Sequence, residues 1–475
     1  MWRLLALCAV IGWSTTATAQ VTRFSEDVAR SIDAGLAYLD GRGAFNNPSS
    51  AGDAAGLTAL ALLEKRESAD PNALFQGYAN ANAADRARLD RVMAFIIARS
   101  RNVGFYAYRE GGDAMALAVY LRTGGPQRNE ALASLNAIFD RMIANQGGAG
   151  YWCYSNGGCN DSSTTQLVMA GLAAARGVYS DPAFADANRL NQLNQAVARC
   201  GAGYDANARP GGMEAGEEGH GYRTGNDPSY QQTASGLWSQ IIGGYDLNHA
   251  SVQAFLRWQR NRYSYTTIAA ANNGWSQSYH YYMWSSAKAY TFLEDAGIQA
   301  ANGNLTPADV GTLAPNQAPG WNGRQTHRNP AQDRRVAVHG NNGAGYYADP
   351  SEPARWYYDY AYTLMSFQAA NGKFGVRNRW NDHSAQAYAL LVLERSVGGG
   401  CVDTDNDGIC DTDDNCPRHP NPRQEDANGD GIGDACAFCQ PVPGQVGEDP
   451  DGDGVFAECD NCPRVANRDQ ADADR

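Results

Sequence analysis

Beyond its first twenty residues, the 475-residue chain has no stretch approaching the roughly 20 consecutive apolar residues that a membrane helix needs. A transmembrane segment is therefore excluded from the mature chain, which is expected to be soluble. Nor is there a basic excess: 38 Lys and Arg stand against 51 Asp and Glu, a formal charge of −13. Nucleic acid is not an expected partner. A zinc site at Cys153 and Cys159 would need two more nearby ligands, which the sequence does not offer. The flexible run Tyr154-Ser155-Asn156-Gly157-Gly158 instead predicts a disulfide between them, while Cys200 has no evident partner.

What is present begins with an export signal. Arg3, the apolar run Leu4–Trp13 and the small-residue site Ala17-Thr18-Ala19 predict a secretory signal over 1–19, cleaved near Ala19 to leave a chain starting near Gln20. Cys8 lies inside the apolar run and follows Leu7, which argues against lipidation. Ten of the 11 cysteines survive cleavage and seven of them fall in the last 75 residues, a pattern expected of disulfides in an extracellular or cell-surface protein.

The acidity is equally uneven. Residues 401–475 hold 16 Asp and 3 Glu against 5 Arg; with these and Arg3 set aside, 32 acidic and 32 basic residues balance in 20–400. Within the tail, CVDTDNDGICDTDDNC places Asp403, Asp405, Asp407, Asp411 and Asp414 at positions one, three, five, nine and twelve of a twelve-residue loop. Gly408 permits the turn, and the carbonyl of Ile409 falls where such a loop uses a backbone ligand. Hard oxygen donors in this number suit Ca²⁺ better than zinc or copper.

The body, 20–397, repeats a unit: an amphipathic helix, a loop rich in Gly and aromatics, then a second helix. Residues 132–177 and 357–396 are the clearest copies. Six units are predicted, with second helices starting near Asp53, Asp113, Asp161, Asp227, Ser278 and Asp382. An array of hairpins exposes two end faces unless it closes, so the expected fold is all-α, a closed (α/α)6 toroid. Gly398-Gly399-Gly400 reads as the linker to 401–475, a small calcium-stabilised, disulfide-containing irregular region.

Gln146-Gly147-Gly148-Ala149-Gly150-Tyr151-Trp152 and Gln368-Ala369-Ala370-Asn371-Gly372-Lys373-Phe374 resemble the degenerate repeat of squalene cyclases and protein prenyltransferase β subunits. DSSTTQLVMAGL, Asp161 to Leu172, is similar to a segment of their secreted bacterial relatives. The resemblance implies a terpenoid-cyclase-like α/α toroid with an aromatic cavity. The protonating cyclases use a DxDD acid, yet none occurs in 24–397; Asp411-Thr412-Asp413-Asp414 sits in the calcium loop. The Asp-x-Cys of the prenyltransferase zinc site is also missing, since Asp161 is followed by Ser162-Ser163 and Asp227 by Pro228-Ser229.

DTDNDGICDTDDNCP, Asn421-Pro422-Arg423-Gln424 and DANGDGIGDAC resemble the thrombospondin type 3 repeat over 401–436. The resemblance implies a second calcium site at Asp426, Asn428, Asp430 and Asp434. It implies a third at Asp449, Asp451, Asp453 and Asp460, where Ala457 stands in place of an expected carboxylate. It also implies disulfides Cys416–Cys436 and Cys439–Cys459, leaving Cys462 unpaired because NCPRVANRDQADADR stops where another GDAC would follow. The chain is expected to end within a repeat.

For chemistry in the body, Asp53, Asp113, Asp161, Asp227 and Asp382 are expected around one rim of the toroid. Each is also what a helix N-terminus asks of a cap. The run GEEGHGYRTGN supplies Glu217, Glu218, His220 and Arg223 in a Gly-rich loop able to fold over the mouth, and Tyr279 and His280 open the fifth second helix. The candidate catalytic residues are Asp161, Asp382, Asp227, His220 and His280. Three readings stay open: a ligand-binding or scaffold module beside an adhesion or spacer tail; a terpenoid-type cyclase or transferase with a non-standard acid; and a carbohydrate-active toroid using rim carboxylates. The expected partners are calcium, a cell-surface or matrix component, and an apolar or carbohydrate ligand.

Overall fold

The computed structural model describes residues 21–71, 73–156, 158–263, 279–295, 298–311, 356–375, 382–399, 415–416 and 433–437. The fold is mostly helical. In chain order the helices are α1 (Arg23–Gly41), α2 (Ala55–Leu63), α3 (Ala83–Ser100), α4 (Ala107–Arg122), α5 (Arg128–Ala144), α6 (Ser162–Ser180), α7 (Ala187–Ala206), α8 (Tyr230–Ile242), α9 (Ala250–Asn261), α10 (Tyr279–Asp295), α11 (Trp356–Phe367), α12 (Asp382–Leu393) and the short α13 (Asp434–Ala437). The strands among the described residues are Arg209–Pro210 and Glu218–Gly219, two residues each and paired antiparallel.

Burial separates the body helices into two sets. Every residue of α2 is buried, and nearly every residue of α4, α6, α8 and α12. Helices covered on all sides belong to an interior. By contrast α1, α3, α5 and α7 bury one face, such as Phe24, Val28, Ile32, Leu36 and Leu39 of α1. The even-numbered helices touch in the order α2, α4, α6, α8, α10, α12, and α12 touches α2 again. Small residues allow the closest of these approaches. A Cβ on Gly111 of α4 would lie 2.2 Å from the Leu167 carbonyl oxygen of α6, and one on Gly56 of α2 would lie 2.3 Å from the Gly112 carbonyl carbon.

The repeated Gln-to-Gly loop has a physical reason. After α5, Gln146 donates from Nε2 to the Gly150 carbonyl at 3.0 Å and to Ala196 of α7 at 2.8 Å. After α11, Gln368 does the same to Gly372 at 3.0 Å and to Ser31 of α1 at 2.9 Å. The two glycines have φ of 89° and 86°, a region L side chains rarely adopt. A Cβ there would also meet backbone of the next helix, Arg199 O at 2.4 Å and Ala34 O at 2.0 Å. Gln368 thus fastens α11 to the first helix of the chain.

Helix starts differ from the expected row of aspartates. Asp161 caps α6, and its Oδ1 accepts from Ser163 N at 2.9 Å and Thr164 N at 3.1 Å. Asp53 instead lies in the 3-10 turn Gly52–Ala54, exposed and 3.6 Å from Arg109. Asp113 falls inside α4, which opens at Ala107, and is buried against Arg99 Nε at 3.0 Å. Asp227 precedes Pro228, whose ring disfavours helical backbone in the residue before it, so α8 opens later, after Ser229. Ser278 lies outside the described residues.

Cys153 and Cys159 are disulfide-bonded, as are Cys416 and Cys436, while Cys200 is free and buried. Gly398 and Gly399, in the expected linker, pack on Met115 and Val119 of α4. Residues 1–20, with the expected signal, lie outside the described residues. Among the described residues no helix is long and apolar enough to cross a membrane.

Candidate functional site

Among the described residues, the start of α6 gathers a dense set of buried polar groups. Asp161 is fully buried. Its Oδ1 accepts a third hydrogen bond, from Ser163 Oγ at 2.6 Å, and the Tyr222 side chain is a further partner of the carboxylate. Tyrosines from several elements converge here. Tyr108 of α4 donates to Ser163 Oγ at 3.0 Å and Tyr281 of α10 to the Ser163 carbonyl at 3.0 Å, while the Tyr154 and Tyr222 hydroxyls are 2.6 Å apart. Burial pushes the Tyr108 and Tyr281 hydroxyls well above their ordinary pKa, and the nearby Asp161 carboxylate adds to the effect.

The segment 207–229 lies on this helix start. Arg223 bridges Asp161 through the backbone, and Ser162 N donates to the Tyr222 carbonyl at 3.0 Å. His220 is buried between the Tyr151 and Tyr204 rings, with Nδ1 2.9 Å from Ser162 Oγ and Nε2 2.9 Å from the Tyr151 hydroxyl. Burial lowers its pKa to about 4. The Ser162 hydroxyl donates to Gly221 O at 2.9 Å. With both ring nitrogens engaged and the serine directed at a carbonyl, the pair pins the segment to α6. Glu217 fixes the other side, bonded to Arg262 at 2.9 Å and Asn261 at 2.8 Å.

Of the five candidate catalytic residues, the structure brings together Asp161 and His220, through Ser162. Asp382 opens α12 and accepts from Tyr38 at 2.8 Å and Lys373 at 3.0 Å. Burial raises its pKa, but the bonds from Lys373 and Tyr38 outweigh this and hold it below the ordinary value. Asp227 is exposed. His280 is buried against Phe374 and Tyr279, its Nε2 without a hydrogen-bond partner and its pKa lowered by burial to about 4.

Next to this cluster the even-numbered helices are joined by side-chain contacts. Ser235 of α8 and Ser285 of α10 both donate to Gln166 Oε1 of α6 at 2.9 Å, and Tyr388 of α12 packs on Tyr281 and Trp284. Where α2 and α12 end lies a second polar cluster that the sequence reading missed. Lys288 of α10 is fully buried, its Nζ 3.7 Å above the Trp238 ring and 3.5 Å above Trp284, with no hydrogen-bond partner. Burial drives its pKa well down. Burial also raises Glu64 to about 7, against hydrogen bonds from Ser396 and Gly399, and raises Glu394 well above the carboxylate range. The available signal was slight: one of only three lysines in the chain, set in the aromatic run YHYYMWSSAKAYTF.

The calcium donors Asp403, Asp405, Asp407, Ile409, Asp411, Asp414, Asp426, Asn428, Asp430, Asp449, Asp451, Asp453 and Asp460 lie outside the described residues, as does the Asp434 side chain. The described residues between them fit the set. Cys416–Cys436 and the bond from Gly433 N to the Asn415 carbonyl, 2.9 Å, tie the residue after Asp414 to the residue before Asp434. A donor set of carboxylates, an amide and a carbonyl suits Ca²⁺. Among the described residues no group of His, Cys, Asp or Glu is placed to hold a metal.

Residues 398–424 and 425–470 match the thrombospondin type 3 repeat family. Repeats of this family bind calcium and occur in extracellular proteins. The chain is also similar to outer membrane porin F of Pseudomonas aeruginosa, 29% identical over 159 residues. That match takes in 28% of this chain and 42% of the relative, so the chain spans less than half the length of the curated relative it matches. No solved structure matches.

Proposed function

We propose that this is an exported protein in two parts: a calcium-ordered tail acting as spacer or adhesion module, and an (α/α)6 toroid acting as a ligand-binding or scaffold module without cyclase or prenyltransferase chemistry. The observation that carries the tail is the family match over 398–470, together with the bonded Cys416 and Cys436. Calcium neutralises carboxylates that otherwise repel one another in a segment with little apolar core. The outer-membrane name of the porin relative is compatible with export past Ala19 and with residence at a cell surface.

The toroid reading is supported by the contact order in which α12 returns to α2 and by Gln368 fastening α11 to α1. The scaffold reading is supported by the missing DxDD acid and Asp-x-Cys pair and by the contacts of Gln166, Ser235, Ser285 and Tyr388, which fasten α6, α8, α10 and α12 to one another. A second reading, an acid catalyst of terpenoid or glycosidic type, draws on the fully buried Asp161 carboxylate among tyrosines. It is the weaker of the two, because Asp161, Asp227 and Asp382 occupy three separate settings. Calcium removal tests the first reading: the tail is expected to lose protease resistance while the helical signal of the body persists.

A further inference from the structure

Beside the cluster of Glu64 and Glu394, α1, the segment 65–71 and α11 enclose a cleft of about 270 Å³. Its floor is apolar, formed by Phe24, Val28 and Ile32 of α1 with Leu393, and Tyr357 and Tyr358 form one wall. Two guanidinium groups line the same cleft, together with Lys65, Glu67 and Asp70 of its rim segment and Asp33 of α1. Arg66 donates to the carbonyls of Ala73 at 2.6 Å and Glu394 at 3.3 Å, and it makes no ion pair. Arg395 lies over the Tyr357 ring at 5.4 Å and pairs with Glu294 at 3.1 Å, but its Nε is buried without a partner.

Arg395 is also the one non-glycine among the described residues with positive φ, 54°. At the second residue past α12 this left-handed conformation closes the helix, with Arg395 N bonded to Val392 O at 3.1 Å and Ser396 N to Leu391 O at 2.9 Å. This closing turn carries the Arg395 side chain to the cleft beside Arg66. The two cations repel each other, and burial already lowers the Arg66 pKa. An anion between them would relieve both effects, with planar two-point bonding of the kind guanidinium gives a carboxylate.

We propose that this cleft binds a small monocarboxylate with an aromatic or apolar body, the body resting on Phe24, Val28 and Ile32 and the carboxylate lying between Arg66 and Arg395. The volume falls just short of the usual range of small-molecule pockets and suits a ligand of about a dozen non-hydrogen atoms. Lys65 does not compete for the anion, being paired with Asp33 at 2.7 Å. The site gives the helical body of the proposed function a ligand class, and it stands or falls separately from the calcium reading.

The test is calorimetric titration of the calcium-loaded full chain with 4-phenylbutyrate, and with 4-phenylbutanol and 4-phenylbutylamine as neutral and cationic controls. Saturable binding of the acid is expected, at least tenfold tighter than the alcohol and weakened by added salt. Arg66→Gln should weaken the acid by tenfold or more and leave the alcohol unchanged. Ala29→Trp, a substitution in the partly exposed wall of α1, should abolish binding of both without touching either arginine. Circular dichroism checks that each variant is folded. Absence of saturable binding, equal affinity for acid and alcohol, or unchanged acid binding by folded Ala29→Trp overturns the proposal.

Discussion

Gly111→Ala separates close backbone packing from ordinary helix propensity, because the two predict opposite signs. In a helix interior, alanine is more favourable than glycine by about 1 kcal/mol. In this fold the new methyl would stand 2.2 Å from Leu167 O and 2.6 Å from Leu167 C, whereas ordinary contact begins near 3.4 Å. Both obstacles are backbone, so α4 and α6 must separate by about an ångström along their contact. Overpacking costs about 1–3 kcal/mol, and a clash with backbone on both helices belongs at the upper end. After the propensity gain, a net loss of about 2 kcal/mol is expected. Urea unfolding in calcium, followed by circular dichroism, should show a lower midpoint with an unchanged slope. Gly41→Ala, where nothing lies within 4 Å, serves as the control and should be neutral or slightly stabilising. A Gly111→Ala variant as stable as the parent refutes backbone contact between α4 and α6.

Two further outcomes follow from the buried polar groups. Glu64 is raised from 4.5 to about 7 by burial, so between those values the folded protein holds a proton the unfolded chain has released. Its contribution to stability is therefore greatest on the acid side and is lost as pH rises through this window, by up to about 3 kcal/mol. Glu64→Gln should remove that fall, so its stability relative to the parent rises between pH 5 and pH 7.5; parallel pH curves for the two proteins count against the buried carboxyl. Asp161→Ala removes an acceptor of three hydrogen bonds at the start of α6 and should cost about 2 kcal/mol, while Asp161→Asn, which still caps, should cost less than half of that. Equal losses in the two variants, measured by thermal unfolding, contradict the capping role.

Much of the helical body was legible because its determinants are local. Helix periodicity marked the hairpins, and the Gln-to-Gly loops at 146–150 and 368–372 were visible as repeats before their cross-helix bonds were known. The starts of the buried helices were less legible. Aspartate caps when backbone geometry allows it, and the geometry at Asp53, Asp113 and Asp227 is set by a 3-10 turn, an earlier helix start and a following proline. The Ser162–His220 contact joins residues 58 positions apart, and no local pattern announces it. The Arg66–Arg395 cleft joins segments more than 300 residues apart, equally invisible to periodicity. Cys153–Cys159 was readable from a short flexible span, whereas the Cys416–Cys436 pairing came from the resemblance of the tail to thrombospondin type 3 repeats.

The central claim is that calcium orders the tail and that the helical body stands without it. Limited proteolysis and far-ultraviolet circular dichroism of the full chain, with calcium and after chelation, test it together. Chelation is expected to expose cleavage sites within 401–475 while the helical signal stays within about a tenth of its starting value and a body fragment ending near Gly399 survives. Cleavage of the tail at the same rate with and without calcium, or collapse of the helical signal on chelation, contradicts the account.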